Sequence, residues 1–203
     1  MIAIIDYGIG NLFSLKSSFY RIGENAVVTS NKAMIEAADR IILPGVGAFE
    51  DAAIKLRESG LDKTIIEQVN TGKPLMGICL GMQMLFEKSF EYGEHEGLGL
   101  IKGEIVPMLG KIPAEFKIPH MGWNKLDFKR NKDELFKYVN EGDSVYFVHS
   151  FYGANCEDDV IATAEYGIDI TAAVRRDNVL GCQFHPEKSG KVGLAILKAF
   201  CEI

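Results

Sequence analysis

The chain has 203 residues, of which 47% are hydrophobic and 25% charged, and it carries a formal net charge of -6. One domain spanning 1–203 would bury roughly 70% of the surface its unfolded form exposes, and this hydrophobic fraction excludes a disordered polyelectrolyte. The acidic balance argues against nucleic acid or an anionic membrane as the main partner, because both favour a basic surface.

Met1-Ile2-Ala3-Ile4-Ile5 lacks a basic flank and is too short for a signal peptide, so it reads as a first strand at 2–5. Further strands are predicted at 26–29, 40–43 and 74–78, alternating with helices at 11–22, 31–38, 50–58, 61–70 and 80–88. Gly23 is expected to stop the first helix and Ser30 to cap the second. This alternation predicts an α/β fold, with an open, mostly parallel central sheet and flanking helices. Later runs at 143–149, 159–165, 170–176 and 179–184 read as strands joined by short turns, before a closing helix at about 189–201. They make the C-terminal part a mixed strand region. No run approaches the length of a membrane span, so a cytoplasmic enzyme is expected. Cys79, Cys156, Cys182 and Cys201 form no C-x-x-C pair, and reduced thiols are the default.

Three segments carry candidate chemistry. Lys73 to Ile78 is an apolar approach to Cys79, and helix is predicted immediately after it, so Cys79 falls at a strand-to-helix turn. Such an elbow presents a nucleophile above the end of the sheet, and Gly77 and Gly81 remove side chains that would collide there. The helix N-terminus favours the attacking thiolate. The bland reading is a structural cysteine in a glycine-containing turn. His185-Pro186-Glu187 supplies a base and a carboxylate; in an extended segment, which Pro186 favours, both project to one face. Alone, the tripeptide also fits a polar strand end. Gly45-Val46-Gly47, with the N–H of Leu80, offers oxyanion donors, or else an ordinary Pro-Gly turn.

Other features weigh less. Gly8-Ile9-Gly10 lacks the third glycine of a dinucleotide loop, since position 13 is Phe13, and no cofactor is expected. A metal at Cys79, His185 and Glu187 fits by ligand type but lacks paired spacing. Cys182 reads as a small packed apolar residue, His95 as a solvated loop histidine, and Trp123 as core in a stretch without strong periodicity.

P-G-V-G, G-I-C-L-G-M-Q and Q-F-H-P-E-K-S, in this order, resemble the triad-type glutamine amidotransferases, whose sheet is flavodoxin-like. Asp6-Tyr7-Gly8-Ile9-Gly10-Asn11-Leu12 and Pro119-His120-Met121-Gly122-Trp123-Asn124 are similar to the glutaminase subunits that serve imidazole glycerol phosphate synthase in histidine biosynthesis. The resemblance implies that Cys79 attacks the side-chain amide of L-glutamine, that His185 protonates the departing ammonia and that Glu187 holds His185. It further implies glutamine contacts at Gln83, Glu91 and the backbone of His149, Ser150 and Phe151. Trp123, Asn124, Tyr146 and Lys188 would face a (β/α)₈-barrel cyclase subunit in a heterodimer. Two other readings stay open: a glutaminase feeding another ammonia acceptor, such as a sugar-modifying synthase, and a non-catalytic thiol sensor or regulator.

Overall fold

The computed structural model describes residues 1–129 and 132–203. Its first half alternates as expected: β1 (Ile2–Ile5), α1 (Leu12–Arg21), β2 (Ala26–Thr29), α2 (Lys32–Ala37), β3 (Arg40–Leu43), α3 (Phe49–Glu58), α4 (Leu61–Asn70) and β4 (Leu75–Ile78). A one-turn α5 (Leu80–Gln83) leads into β5 (Phe86–Ser89), β6 (His95–Glu96), β7 (Ile101–Pro107), β8 (His120–Lys125) and β9 (Asp127–Phe128). The chain continues through β10 (Ser144–His149), β11 (Phe151–Ala154), β12 (Val160–Glu165), β13 (Asp169–Arg176) and β14 (Val179–Cys182) to α6 (Gly190–Phe200).

The main sheet has the order β2-β1-β3-β4-β14-β13-β12-β9. Its first five strands are parallel neighbours, whereas β13, β12 and β9 join antiparallel, which gives the mixed C-terminal region. Two smaller sheets, β10-β8 and β11-β7-β5-β6, complete the strand set of the described residues. The unbroken apolar run of β1 follows from burial on both faces. Ile2 and Ile4 pack with Leu15 and Phe19 of α1 and with Leu197 and Phe200 of α6, while Ala3 and Ile5 share a second cluster with Ile35, Leu56 and Ile65 of α2, α3 and α4.

Four local expectations change. The helix predicted at 80–88 ends at Gln83, because the carbonyls of Met84, Leu85 and Phe86 accept N–H bonds from Leu98, Leu100, Ile101 and Gly99 instead of extending the helical ladder. The apolar run Met82–Phe86 is buried all round, so periodicity alone does not separate helix from strand there. α2 is capped by Asn31 rather than Ser30, its Oδ1 accepting from the Met34 N–H at 3.3 Å. His95 lies in β6, where its Nδ1 stands 3.8 Å from a carboxylate oxygen of Glu50 and its side chain is only 17% exposed. Trp123 is 58% exposed on β8, not core. Gly23 does end α1, with φ 84° and its N–H donating to the Tyr20 carbonyl.

This strand order has one consequence for chemistry. β3, β4 and β14 are adjacent and parallel, so the segments leaving their carboxyl ends, 44–47, 79–81 and 183–188, meet above one edge of the sheet.

Candidate active site

Cys79 joins β4 to α5 with φ 55° and ψ -111°, a conformation that costs a non-glycine residue about 1–3 kcal/mol and persists only where its surroundings enforce it. Here its N–H donates to the Cys182 carbonyl at 2.8 Å and its own carbonyl accepts from Gln83 at 3.1 Å. The backbones around it are too close for side chains. A Cβ on Gly77 would lie 2.5 Å from the Gly81 oxygen, one on Gly81 1.8 Å from the Leu43 oxygen, and one on Gly45 2.7 Å from the Gly81 nitrogen. At the first position of α5, the Leu80 N–H has no intrahelical carbonyl to serve it.

His185 has extended backbone (φ -98°, ψ 98°), but Pro186–Lys188 forms a 3₁₀ turn rather than the predicted extended segment. Proline suits that first position, because its missing N–H would find no partner there. The turn still brings the pair together: His185 Nδ1 and Glu187 Oε1 are 2.8 Å apart, with side chains 3% and 1% exposed. Burial disfavours the imidazolium, yet hydrogen bonds to Cys79 and Glu187, reinforced by their negative charge, push the His185 pKa up to about 9. With Nδ1 engaged by Glu187, Nε2 is the ring nitrogen left for the sulfur. The Tyr146 carbonyl accepts the His185 N–H at 2.9 Å, and Ser189 Oγ donates to the His185 carbonyl at 2.7 Å, fixing the backbone that carries the ring.

Cys79 and His185 line a cavity of about 370 Å³ together with Val46, Gly47, Leu80, Gln83 and Glu91, and with His149, Ser150 and Phe151 of the opposite wall. Gly45, predicted with the oxyanion loop, does not line the cavity. It lies behind, packed on the Leu80-Gly81 backbone. Gln83 donates through Nε2 to the Phe151 carbonyl at 3.2 Å and to Gln183 Oε1 at 3.0 Å. Half-buried Glu91 accepts the Phe49 N–H at 2.6 Å, and burial raises its carboxyl above the usual range. His149 is buried, its pKa pressed down to about 3 chiefly by loss of water, and its Nδ1 lies 2.8 Å from the Phe151 oxygen.

The family model described as glutamine amidotransferase class-I matches residues 3–202. The chain belongs to that family. As an amidotransferase it is 48% identical to an imidazole glycerol phosphate synthase subunit HisH of Wolinella succinogenes, over all of both chains. It is 50% identical to the subunit of that name from Caldanaerobacter subterraneus subsp. tengcongensis, over 100% of this chain and 98% of the relative. Among solved structures, one titled as a glutamine amidotransferase superposes with TM-score 0.77 at 20% identity, covering 100% and 98% of the two chains. PurLQS from Thermotoga maritima gives 0.74 at 21%, covering 99% and 97%. At those identities the structures speak for the fold alone.

Several residues of this amidotransferase site escape sequence reasoning. Tyr92 and Val148 line the cavity without any distinctive local pattern, and Pro119 lines it from the head of the family-like segment that carries Trp123 and Asn124. Tyr7 donates its hydroxyl to the Pro44 carbonyl, and a Cβ on Gly10 would touch the Pro44 ring at 3.0 Å, so the loop after β1 supports the loop after β3. His120, stacked between Phe147 and Tyr166, faces His149 across 3.0 Å, and burial lowers its pKa to about 4. Its other nitrogen lies 3.3 Å from the Asn124 amide, which ties Asn124 to the site's wall. Beyond that wall Trp123 and Tyr146 meet edge to face, and Lys188, which itself lines the cavity, holds its ammonium 5.8 Å from the Tyr146 ring centre. No helix of the described residues is long and apolar enough to cross a membrane.

Proposed function

We propose that this single domain is the glutaminase subunit of an imidazole glycerol phosphate synthase, hydrolysing L-glutamine to glutamate and ammonia for a cyclase subunit in histidine biosynthesis. The observation that carries the chemistry is that Cys79 and His185 line one cavity while the buried Glu187 carboxylate holds His185 Nδ1 at 2.8 Å. Near 50% identity to two HisH subunits along the whole chain supports the assignment to histidine biosynthesis.

In the reaction, the Cys79 thiolate attacks the side-chain amide carbon of glutamine. The carbonyl oxygen gains negative charge, which the N–H groups of the 46–47 loop and Leu80 receive; losing one such donor costs about a hundredfold to a thousandfold in rate. The tetrahedral adduct collapses as the C–N bond breaks, and protonated His185 gives its proton to the leaving nitrogen, releasing ammonia and a glutamyl thioester. Neutral His185 then takes a proton from water as its oxygen attacks the thioester carbon; the C–S bond breaks, glutamate leaves and the thiolate returns. Glu187 holds the ring and stabilises its charged form. Glu91 recognises the substrate ammonium, Gln83 contacts the bound glutamine, and the 149–151 backbone holds the substrate carboxylate.

Ammonia is useful only if it reaches an electrophile before it is protonated and lost. We assign the Trp123, Asn124, Tyr146 and Lys188 face to a (β/α)₈-barrel cyclase in the cytoplasm. Turnover is then weak in the isolated subunit and rises when the liganded partner shifts the 45–47 loop between two arrangements. Glutamate release, measured alone and with the cyclase and its nucleotide substrate, tests both parts. Stimulation supports the reading, equal turnover removes the coupling, and a Cys79→Ala protein that still hydrolyses glutamine overturns the chemistry.

A further inference from the structure

We propose that Gln183 is a direct hydrogen-bond donor to the nucleophile, its side-chain amide turned to the Cys79 sulfur in an orientation that the Phe151 carbonyl sets through Gln83. The inference rests on the reading of Cys79 as the nucleophile, and goes beyond it in giving a task to a residue outside the triad.

Gln183 is fully buried, one residue beyond β14. A buried primary amide without partners costs free energy, so its orientation follows from what surrounds it. The Phe151 carbonyl can only accept. The Gln83 atom 3.2 Å from it is therefore the NH₂ nitrogen, and the second N–H of that nitrogen points at Gln183 across 3.0 Å. The Gln183 atom meeting it must accept, and is Oε1. Gln183 Nε2 is thereby turned to Cys79 Sγ, 3.7 Å away. One carbonyl oxygen fixes the direction of two amides and delivers an N–H to the sulfur.

A donor at this place favours the thiolate over the thiol, because a hydrogen bond to a charged acceptor is roughly twice as strong as one to a neutral acceptor. It does so without net charge. A lysine or arginine at 183 would repel the imidazolium of His185, two residues on. His185, Cys182 of β14 and Tyr7 beyond β1 are ionisable groups that feel the Cys79 sulfur, while Glu187 stands behind His185. Gln83 and Phe151 also line the cavity, so moving either disturbs the amide at the sulfur.

The test is the rate of iodoacetamide alkylation at Cys79 of the full chain as a function of pH, located by mass spectrometry, with kcat and KM for glutamine measured in the cyclase complex. Gln183→Met keeps length and loses the donor. It is expected to move the alkylation midpoint up by about one pH unit and to lower kcat about tenfold, with KM within about threefold. Gln183→Asn, which stays polar but withdraws the amide from the sulfur, should move both in the same direction and serves if the methionine variant does not fold. Gln183→Glu places a like charge beside the thiolate and should shift the midpoint further. Unchanged midpoint and kcat in Gln183→Met or Gln183→Asn overturn the inference while leaving the triad standing. Turnover surviving in Cys79→Ala overturns the parent reading instead.

Discussion

The Tyr7 hydroxyl donates to the Pro44 carbonyl at 2.8 Å, joining the loop after β1 to the loop that presents Val46 and Gly47 to the cavity. Tyr7 is 6% exposed, and burial raises its phenol pKa well above the ordinary value, so the hydroxyl stays protonated and donating throughout the working pH range. Tyr7→Phe keeps the ring and leaves the Pro44 oxygen without this donor. It should cost about 1–2 kcal/mol of stability in urea titration. Glutaminase kcat should fall, because the 45–47 loop loses its tether; unchanged kcat would mean the loop holds its shape unaided.

Glu91 does a second task besides lining the cavity. Ala48, at the N-cap of α3, has no side chain to cap the helix, and Glu91 from a distant segment accepts the Phe49 N–H in its place. Glu91→Ala should therefore lose about 1 kcal/mol of stability and raise KM for glutamine. Glu91→Gln keeps an acceptor for Phe49 but loses the charge that we propose meets the substrate ammonium, so it should raise KM with stability nearly intact. A thermal melt beside a KM measurement separates the two tasks.

His120 and His149 predict acid sensitivity. Both have folded pKa values below the unfolded value of about 6.5, so the unfolded state binds more protons as pH falls through that value. Stability should decline between about pH 6.5 and 4, by up to about 1.4 kcal/mol per pH unit for each histidine that stays neutral. His185 acts in the opposite sense. Its folded pKa of about 9 lies above the unfolded value, so its contribution is full below pH 6.5 and is lost as pH rises through 9. Urea titrations from pH 4 to 10 should show a maximum between these limbs, and His120→Asn should flatten the acid one.

Trp123 stands out from β8 against Tyr146 and is largely in solvent. Trp123→Ala should leave the melting temperature of the isolated chain within a few degrees while weakening the cyclase complex by about 2 kcal/mol or more, as expected of an aromatic anchor. Calorimetric titration with the cyclase measures this directly. Undiminished affinity would place the interface elsewhere.

Much of the fold was legible because the first half obeys local rules. β1, β2, β3 and β4 are short apolar runs bounded by turn residues, and both core clusters follow from their alternation. The middle of the chain was less legible because its structure depends on distant partners. β8 pairs with β10 from His120↔His149 to Lys125↔Ser144, and β5 pairs with β7 across a register shift, so neither announces itself locally. At the site, Cys79, His185 and Glu187 stood out through spacing and type, although a 3₁₀ turn rather than an extended segment unites the last two. Gln183 and Tyr7 lie inside the family-like segments, yet their tasks did not show. A buried glutamine and a buried tyrosine look alike in sequence whatever their side chains hold, and only the direction of their hydrogen bonds distinguishes them.

The nested backbones of Gly45, Gly77 and Gly81 set how freely this site can vary by mutation. In a saturation library, even alanine at 77 or 81 would drive a methyl group into a main-chain oxygen, and no side-chain rearrangement relieves that. Gly47 has open space where a Cβ would stand, but its φ of 90° is a backbone conformation that strains any L side chain, so what restricts it is conformation and not contact. Two glycine-rich turns of similar appearance are therefore closed to substitution for different reasons: the elbow and Gly45 by main-chain contact, and Gly47 by the backbone angle that glycine alone adopts without strain.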